Sequence, residues 1–135
     1  MKKTYQGSCH CGSVRFEADI DLAAAGTGKC NCTYCTKVRS WTTFVKPAAF
    51  RLQAGRQKLR AYHRHEGAPL KHHCAECGVH THATGDADYM GGPFVGVFLA
   101  ALDDVEPKEL IEAAVRYSDG LNDNWQNPPA EARHL

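Results

Sequence analysis

The chain has 135 residues, a length that fits one domain and excludes two catalytic ones. Hydrophobic residues make up 43% and charged residues 23%, close to the globular average, which excludes a disordered tail, a collagen or a coiled coil. Lys plus Arg is 16 against 15 for Asp plus Glu, a net charge of +1, so the basic excess typical of general nucleic-acid or membrane-surface binding is missing.

Strand signals dominate the elements in chain order. Val14-Arg15-Phe16-Glu17-Ala18 alternates apolar and polar, as a half-buried strand does. Asp21 to Lys29 reads as a short Ala/Gly-rich loop. Trp41 to Lys46 is rich in aromatic and β-branched residues and stops at Pro47, where one helical turn to Phe50 is expected. Lys58 to His63 alternates again, and Val79 to Thr84 reads as a strand leaving a cysteine pair. Phe94 to Ala100 is the most apolar run and predicts a central strand. Pro107 to Ala114 predicts a helix with Pro at its first position. The tail from Asp119 to Pro129 is turn-rich and predicts irregular structure. The expectation is a mainly β, antiparallel domain with metal knuckles on loops and one or two short helices. It is read as a single domain over 1–135, with a core of about 5–117 and a tail of 118–135.

No apolar run reaches the roughly 20 residues of a bilayer span. Met1 to Gly7 carries two lysines with no apolar run behind them, so no secretory signal is expected and a cytoplasmic location is predicted. Structural disulfides are rare in that compartment. The seven cysteines therefore need another explanation, and an odd number would leave one thiol unpaired. They fall in three clusters: Cys9-His10-Cys11, Cys30-Asn31-Cys32-Thr33-Tyr34-Cys35 and Cys74-Ala75-Glu76-Cys77. Such spacings place two or three sulfurs on one ion, and zinc takes four thiolate or imidazole ligands in a tetrahedron. Seven divides as four plus three: a closed structural zinc, and a reactive zinc with one position open. One division joins Cys9 and Cys11 to Cys74 and Cys77 and leaves Cys30, Cys32 and Cys35. Another joins Cys32 and Cys35 to Cys74 and Cys77 as in a zinc ribbon. The first keeps each local cluster whole and is preferred. A purely structural zinc module and a redox dithiol at Cys74 and Cys77 are the competing readings.

Gly7-Ser8-Cys9-His10-Cys11-Gly12-Ser13-Val14-Arg15-Phe16 resembles the opening of the glutathione-dependent formaldehyde-activating enzyme (GFA)/centromere protein V family. The resemblance continues through Cys30 to Cys35, Trp41 to Phe50, His73-Cys74-Ala75-Glu76-Cys77-Gly78 and Leu102-Asp103-Asp104. It implies an Mss4-like β-tent fold with two zinc ions per chain. It places a structural zinc on Cys9, Cys11, Cys74 and Cys77 and a catalytic zinc on Cys30, Cys32 and Cys35. The implied activity is that of a carbon–sulfur lyase acting on a thiol–aldehyde adduct such as S-hydroxymethylglutathione. Three thiolates give such a zinc site a formal charge of −1, which weakens carbonyl polarisation and makes thiol binding the expected role. The implied partner is a small-molecule thiol or adduct, with glutathione the family's own. No membrane or nucleic-acid partner is expected, and a homo-oligomer is compatible with the sequence. A non-catalytic zinc-stabilised binding module is the alternative, since the wider family and fold include non-enzymes.

Other residues carry weaker expectations. Six of the eight histidines lie between His63 and His82, where His63/His65 and His80/His82 each share a strand face. A metal or acid–base role competes there with ordinary hydrogen-bonded strand residues, the preferred reading. His10 is expected to fill a turn. Tyr34, Arg39 and Trp41 are candidate pocket residues, with core packing preferred for Trp41. Lys37 and Arg39 are candidates for a substrate carboxylate. Trp125 is expected to cap a pocket or an interface.

Overall fold

The computed structural model describes residues 1–135. In chain order the elements are β1 (Lys3–Ser8), β2 (Arg15–Ile20), α1 (Leu22–Ala25), β3 (Thr27–Cys30), α2 (Thr33–Val38), β4 (Thr42–Val45), β5 (Phe50–Ala54), β6 (Leu59–Tyr62), β7 (Leu70–Cys74), β8 (His80–Ala87), β9 (Gly92–Phe98), α3 (Pro107–Glu112) and β10 (Val115–Ser118). The fold is mainly β, with three short α-helices. A three-stranded sheet runs β1-β2-β5, and a seven-stranded sheet runs β10-β3-β4-β9-β8-β7-β6. Every pairing is antiparallel except β10 with β3, which is parallel. No helix is long and apolar enough to cross a membrane.

Alternation explains the small sheet. In β2, Phe16, Ala18 and Ile20 are buried while Arg15 is exposed. In β1, Tyr5 and Gly7 point the same way and pair with Ala18 and Phe16. A side chain at Gly7 would meet the Phe16 ring, so glycine is required there by space. The core lies between the sheets: Tyr5, Phe16, Ala18 and Ile20 face Val95, Val97 and Phe98 of β9. The apolar run from Phe94 is the central strand expected of it, flanked by β4 and β8. Leu99–Ala101 leaves the strand as a 3-10 turn, and Pro47–Ala49 forms another. A bridge from Gly7 to Leu102 and the Asp103 amide donating to the Gln6 carbonyl (2.8 Å) join the segment after β9 to β1.

The Pro107 helix forms where expected, with a Glu106/Glu109 capping box at its start. Glu109 also accepts from the Tyr5 hydroxyl (2.6 Å) and from Lys3, so α3 is tied to the small sheet. The two further helices, α1 and α2, occupy segments read as loops. α1 is held by the Asp21 side chain accepting from the Ala24 amide (3.1 Å). α2 is capped by Cys32 at its start and by Arg39 at its end, the latter in a left-handed conformation (φ 55°). The Cys30 to Cys35 segment is therefore not a loop: Cys30 ends a strand and Cys35 lies in a helix.

Candidate metal centres

The first C-x-C fills the turn between β1 and β2. Cys74 ends β7, and Cys77 precedes β8. The two turns are alike in their backbone bonding. The Cys9 amide donates to the Val14 carbonyl (3.0 Å), and the Cys74 amide to the Val79 carbonyl (3.1 Å). Each turn then needs a left-handed residue after its second cysteine, and glycine supplies it: Gly12 has φ 79° and Gly78 has φ 78°. The turns meet. The sulfurs of Cys9, Cys11, Cys74 and Cys77 all lie within 4.8 Å of one another. The sulfurs of Cys30, Cys32 and Cys35 form a second such group. This is the grouping preferred from the sequence; the alternative zinc-ribbon division, Cys32 and Cys35 with Cys74 and Cys77, is not formed.

The donor sets fit zinc. Cys9 and Cys74 Sγ each stand 3.7 Å from Cys11 Sγ. A tetrahedron with zinc–sulfur bonds of about 2.3 Å has edges of about 3.8 Å. Backbone amides also point at the sulfurs, as thiolate ligands require. Val14 donates to Cys9 (3.3 Å) and Glu76 to Cys74 (3.4 Å). In the second group Cys32 donates to Cys30 (3.3 Å) and Cys35 to Cys32 (3.4 Å).

The thiols titrate against one another. Burial pushes Cys9 up to about 11, while backbone donors at Cys11 and Val79 bring Cys77 down to about 6. In the triplet, the Cys30 and Cys35 thiols donate to Cys32 and hold it low as the thiolate. Cys35 is pushed far up by its hydrogen bonds to Cys30 and Cys32. Protons alone thus leave each cluster with thiols that resist ionisation. A divalent cation resolves that conflict by stabilising every sulfur as thiolate. Both groups could hold a metal ion; four sulfurs close a tetrahedron, and three leave one position.

The sequence matches the glutathione-dependent formaldehyde-activating enzyme family over residues 4–119. The chain belongs to this family. It is also similar to the crystal structure of a Rhodobacter sphaeroides protein, with a TM-score of 0.68 and 25% identity over 82% of this chain and 99% of that one. The GFA match ends at Asp119, short of the last 16 residues.

Around the GFA-type triplet the other candidate residues take distinct places. Trp41 packs against the main core, and its indole N–H donates to Thr27 Oγ1 (2.8 Å), the packing role preferred for it. Arg39 is exposed and donates one guanidinium N–H to the carbonyl of His134 (2.8 Å). Lys37 lines a groove of 440 Å³ with Thr33, Tyr34, Val38, Tyr62 and Arg64. Tyr34 stacks on Tyr62 (5.8 Å) beneath Lys71, and its hydroxyl is buried without a hydrogen-bond partner. His63 and His65 are exposed beyond β6. His80 and His82 lie on β8, where His82 is buried and bonded to Thr81 Oγ1 (2.9 Å). No histidine joins either sulfur group. His10 sits exposed in the first knuckle turn.

Sequence reasoning missed Asn31, Arg64 and Asp119. Asn31 Nδ2 donates to Asp119 Oδ1 (2.9 Å), tying the segment between two cysteines to the end of β10. A legible signal was the Asp-Gly pair at 119–120 within an Asn/Asp-rich run, which was read only as irregular.

Proposed function

We propose that this protein is a zinc-dependent carbon–sulfur lyase of the formaldehyde-activating type, acting on a thiol–aldehyde adduct such as S-hydroxymethylglutathione. In the synthetic direction a substrate sulfur bonds to the aldehyde carbon, and the thiol proton ends on the former carbonyl oxygen. The reverse reaction breaks that carbon–sulfur bond. The observation that carries the reading is the three-sulfur group of Cys30, Cys32 and Cys35, one ligand short of a tetrahedron. Zinc bound there would hold an incoming thiol as the thiolate at neutral pH.

The chain's own residues do the rest. The amides of Cys32 and Cys35 fix the orientation of two sulfurs. Cys9, Cys11, Cys74 and Cys77 join the β1–β2 turn to the β7–β8 turn as a closed structural site. Lys37 and Arg64 give the groove on α2 two cationic side chains without an acidic residue in its lining, which favours a carboxylate-bearing thiol such as glutathione.

The test is direct. Zinc-loaded protein is mixed with ¹³C-formaldehyde and glutathione, and exchange between free and adduct methylene signals is followed by NMR. Exchange faster than the uncatalysed rate, and lost in Cys32→Ser, is expected. A rate equal to buffer with two zinc ions bound would sink the reading in favour of a binding module.

A further inference from the structure

The segment from Gly120 onward lies past the end of the family match, yet it is fastened, through Asp119 at that boundary, around the three-cysteine centre. Asp119 is only 7% exposed. Its carboxylate accepts from Asn31 Nδ2 (2.9 Å) and from Asn122 Nδ2 (3.0 Å). Asn31 Oδ1 in turn accepts from the Leu121 amide (3.0 Å). Asn31 stands between Cys30 and Cys32, so both ends of one amide side chain clamp the segment to the cysteine motif. The far end returns to the flanks of the same motif: Lys29 Nζ donates to the Leu135 carbonyl (3.1 Å) and Arg39 Nη1 to that of His134 (2.8 Å).

Gly120 shows how close the approach is. The Cys30 sulfur and the Trp125 ring both lie within 2.7 Å of the point where a Gly120 Cβ would stand. Only a residue without a side chain lets the indole sit beside that sulfur. The indole N–H is engaged by Asp123 Oδ1 (2.7 Å), which fixes the ring, while 46% of the residue stays exposed. Trp125 keeps nearly half of its surface open while its ring edge lies against Gly120, next to Cys30 Sγ.

We propose that Trp125 is a specificity residue of the three-cysteine centre: clamped through Asn31 and Asp119, its open surface receives the carbon skeleton of the thiol substrate beside Cys30. The proposal rests on the thiol–aldehyde reading above. It predicts that the centre discriminates among thiols by their bulk, preferring a peptide-sized thiol to a two-carbon one.

The experiment compares zinc-loaded parent, Trp125→Ala and Trp125→Phe. With glutathione and formaldehyde, Trp125→Ala should raise KM about tenfold with kcat within about threefold, a loss of roughly 1.4 kcal/mol of contact. With 2-mercaptoethanol its KM should not move, and Trp125→Phe should recover most of the glutathione effect. Indole fluorescence on adding S-methylglutathione, which has no free thiol, should change in the parent and not in Trp125→Phe, where Trp41 alone remains. Equal KM values in all three proteins, or a parent fluorescence unmoved by saturating S-methylglutathione, would overturn the proposal. If Trp125→Ala does not fold, the fluorescence comparison with Trp125→Phe decides. A parent without any adduct activity would end the lyase reading, while the fluorescence comparison would still decide whether Trp125 meets the ligand.

Discussion

His72 of β7 and His82 of β8 stack face to face, with ring centroids 4.4 Å apart and planes 7° from parallel. Phe50 covers His82 at 4.5 Å, and His82 Nδ1 bonds to Thr81 Oγ1. Burial, with added repulsion from His72 and Arg56, brings His82 down to about 3. The folded state therefore holds this imidazole neutral, whereas the unfolded chain protonates it near 6.5. Between those values the unfolded state binds more protons, so stability is full above pH 6.5 and falls as pH drops toward 3. The full gap corresponds to as much as about 5 kcal/mol at about 1.4 kcal/mol per unit. His82→Gln should flatten this slope. Urea unfolding of both proteins at pH 7.5, 6.5 and 5.5 checks it, since metal loss in acid is common to both; parallel curves would refute it.

The two sulfur groups should differ in what their loss does. Cys74 is fully buried and joins two turns 63 residues apart in sequence. Cys74→Ser should lose the cooperative thermal transition, because structural zinc contributes directly to folding. Cys32→Ser should stay folded and lose one zinc of two. Elemental analysis with circular dichroism reads both, and two zinc ions retained in Cys32→Ser would contradict the assignment.

The groove on α2 makes an electrostatic prediction. Lys37→Glu or Arg64→Glu should raise KM for glutathione about tenfold per reversal while kcat stays within threefold. The effect should shrink at 0.5 M salt, because both cations face solvent. A neutral thiol should show no change. Identical shifts for charged and neutral thiols would mean the groove acts through the fold rather than through charge.

Gly7 offers a stability test that alters no cysteine. Gly7→Ala places a methyl on the Phe16 ring, which also stacks on Phe50 at 5.0 Å. Overpacking of this kind costs about 1–3 kcal/mol. Denaturant unfolding should show that loss with bound zinc unchanged.

Where the residue pattern was local, the sequence was readable. Alternation marked β2, and continuous apolarity marked the centre of β9. Each cysteine cluster carries two or three donors within six residues, so the donors could be found without the fold. Which clusters meet was preferred only because one division keeps each cluster whole, and that grouping is the one found; the meeting of the β1–β2 turn with the β7–β8 turn that produces it has no signature in the residue pattern. β3, β5, β7 and β10 are only four or five residues long, too short for a period to register. α2 was hidden for another reason. Its first turn is built on sulfur and threonine rather than on an apolar stripe, and it is shaped by the cysteines it carries. That Arg39 meets the carbonyl of His134, 95 residues away, is visible only in the fold.

The parallel pairing of β10 with β3 sets Ser118 beside Cys30. During synthesis all seven cysteines have been added by residue 77, but β10 is completed about forty residues later. At about 5–20 residues per second, that interval lasts several seconds. A nascent chain therefore offers bare thiols to oxidants and competing metals before the strand and clamp that flank Cys30 exist. Overproduction in metal-poor medium should therefore yield chains whose triplet is oxidised more than the four-cysteine group.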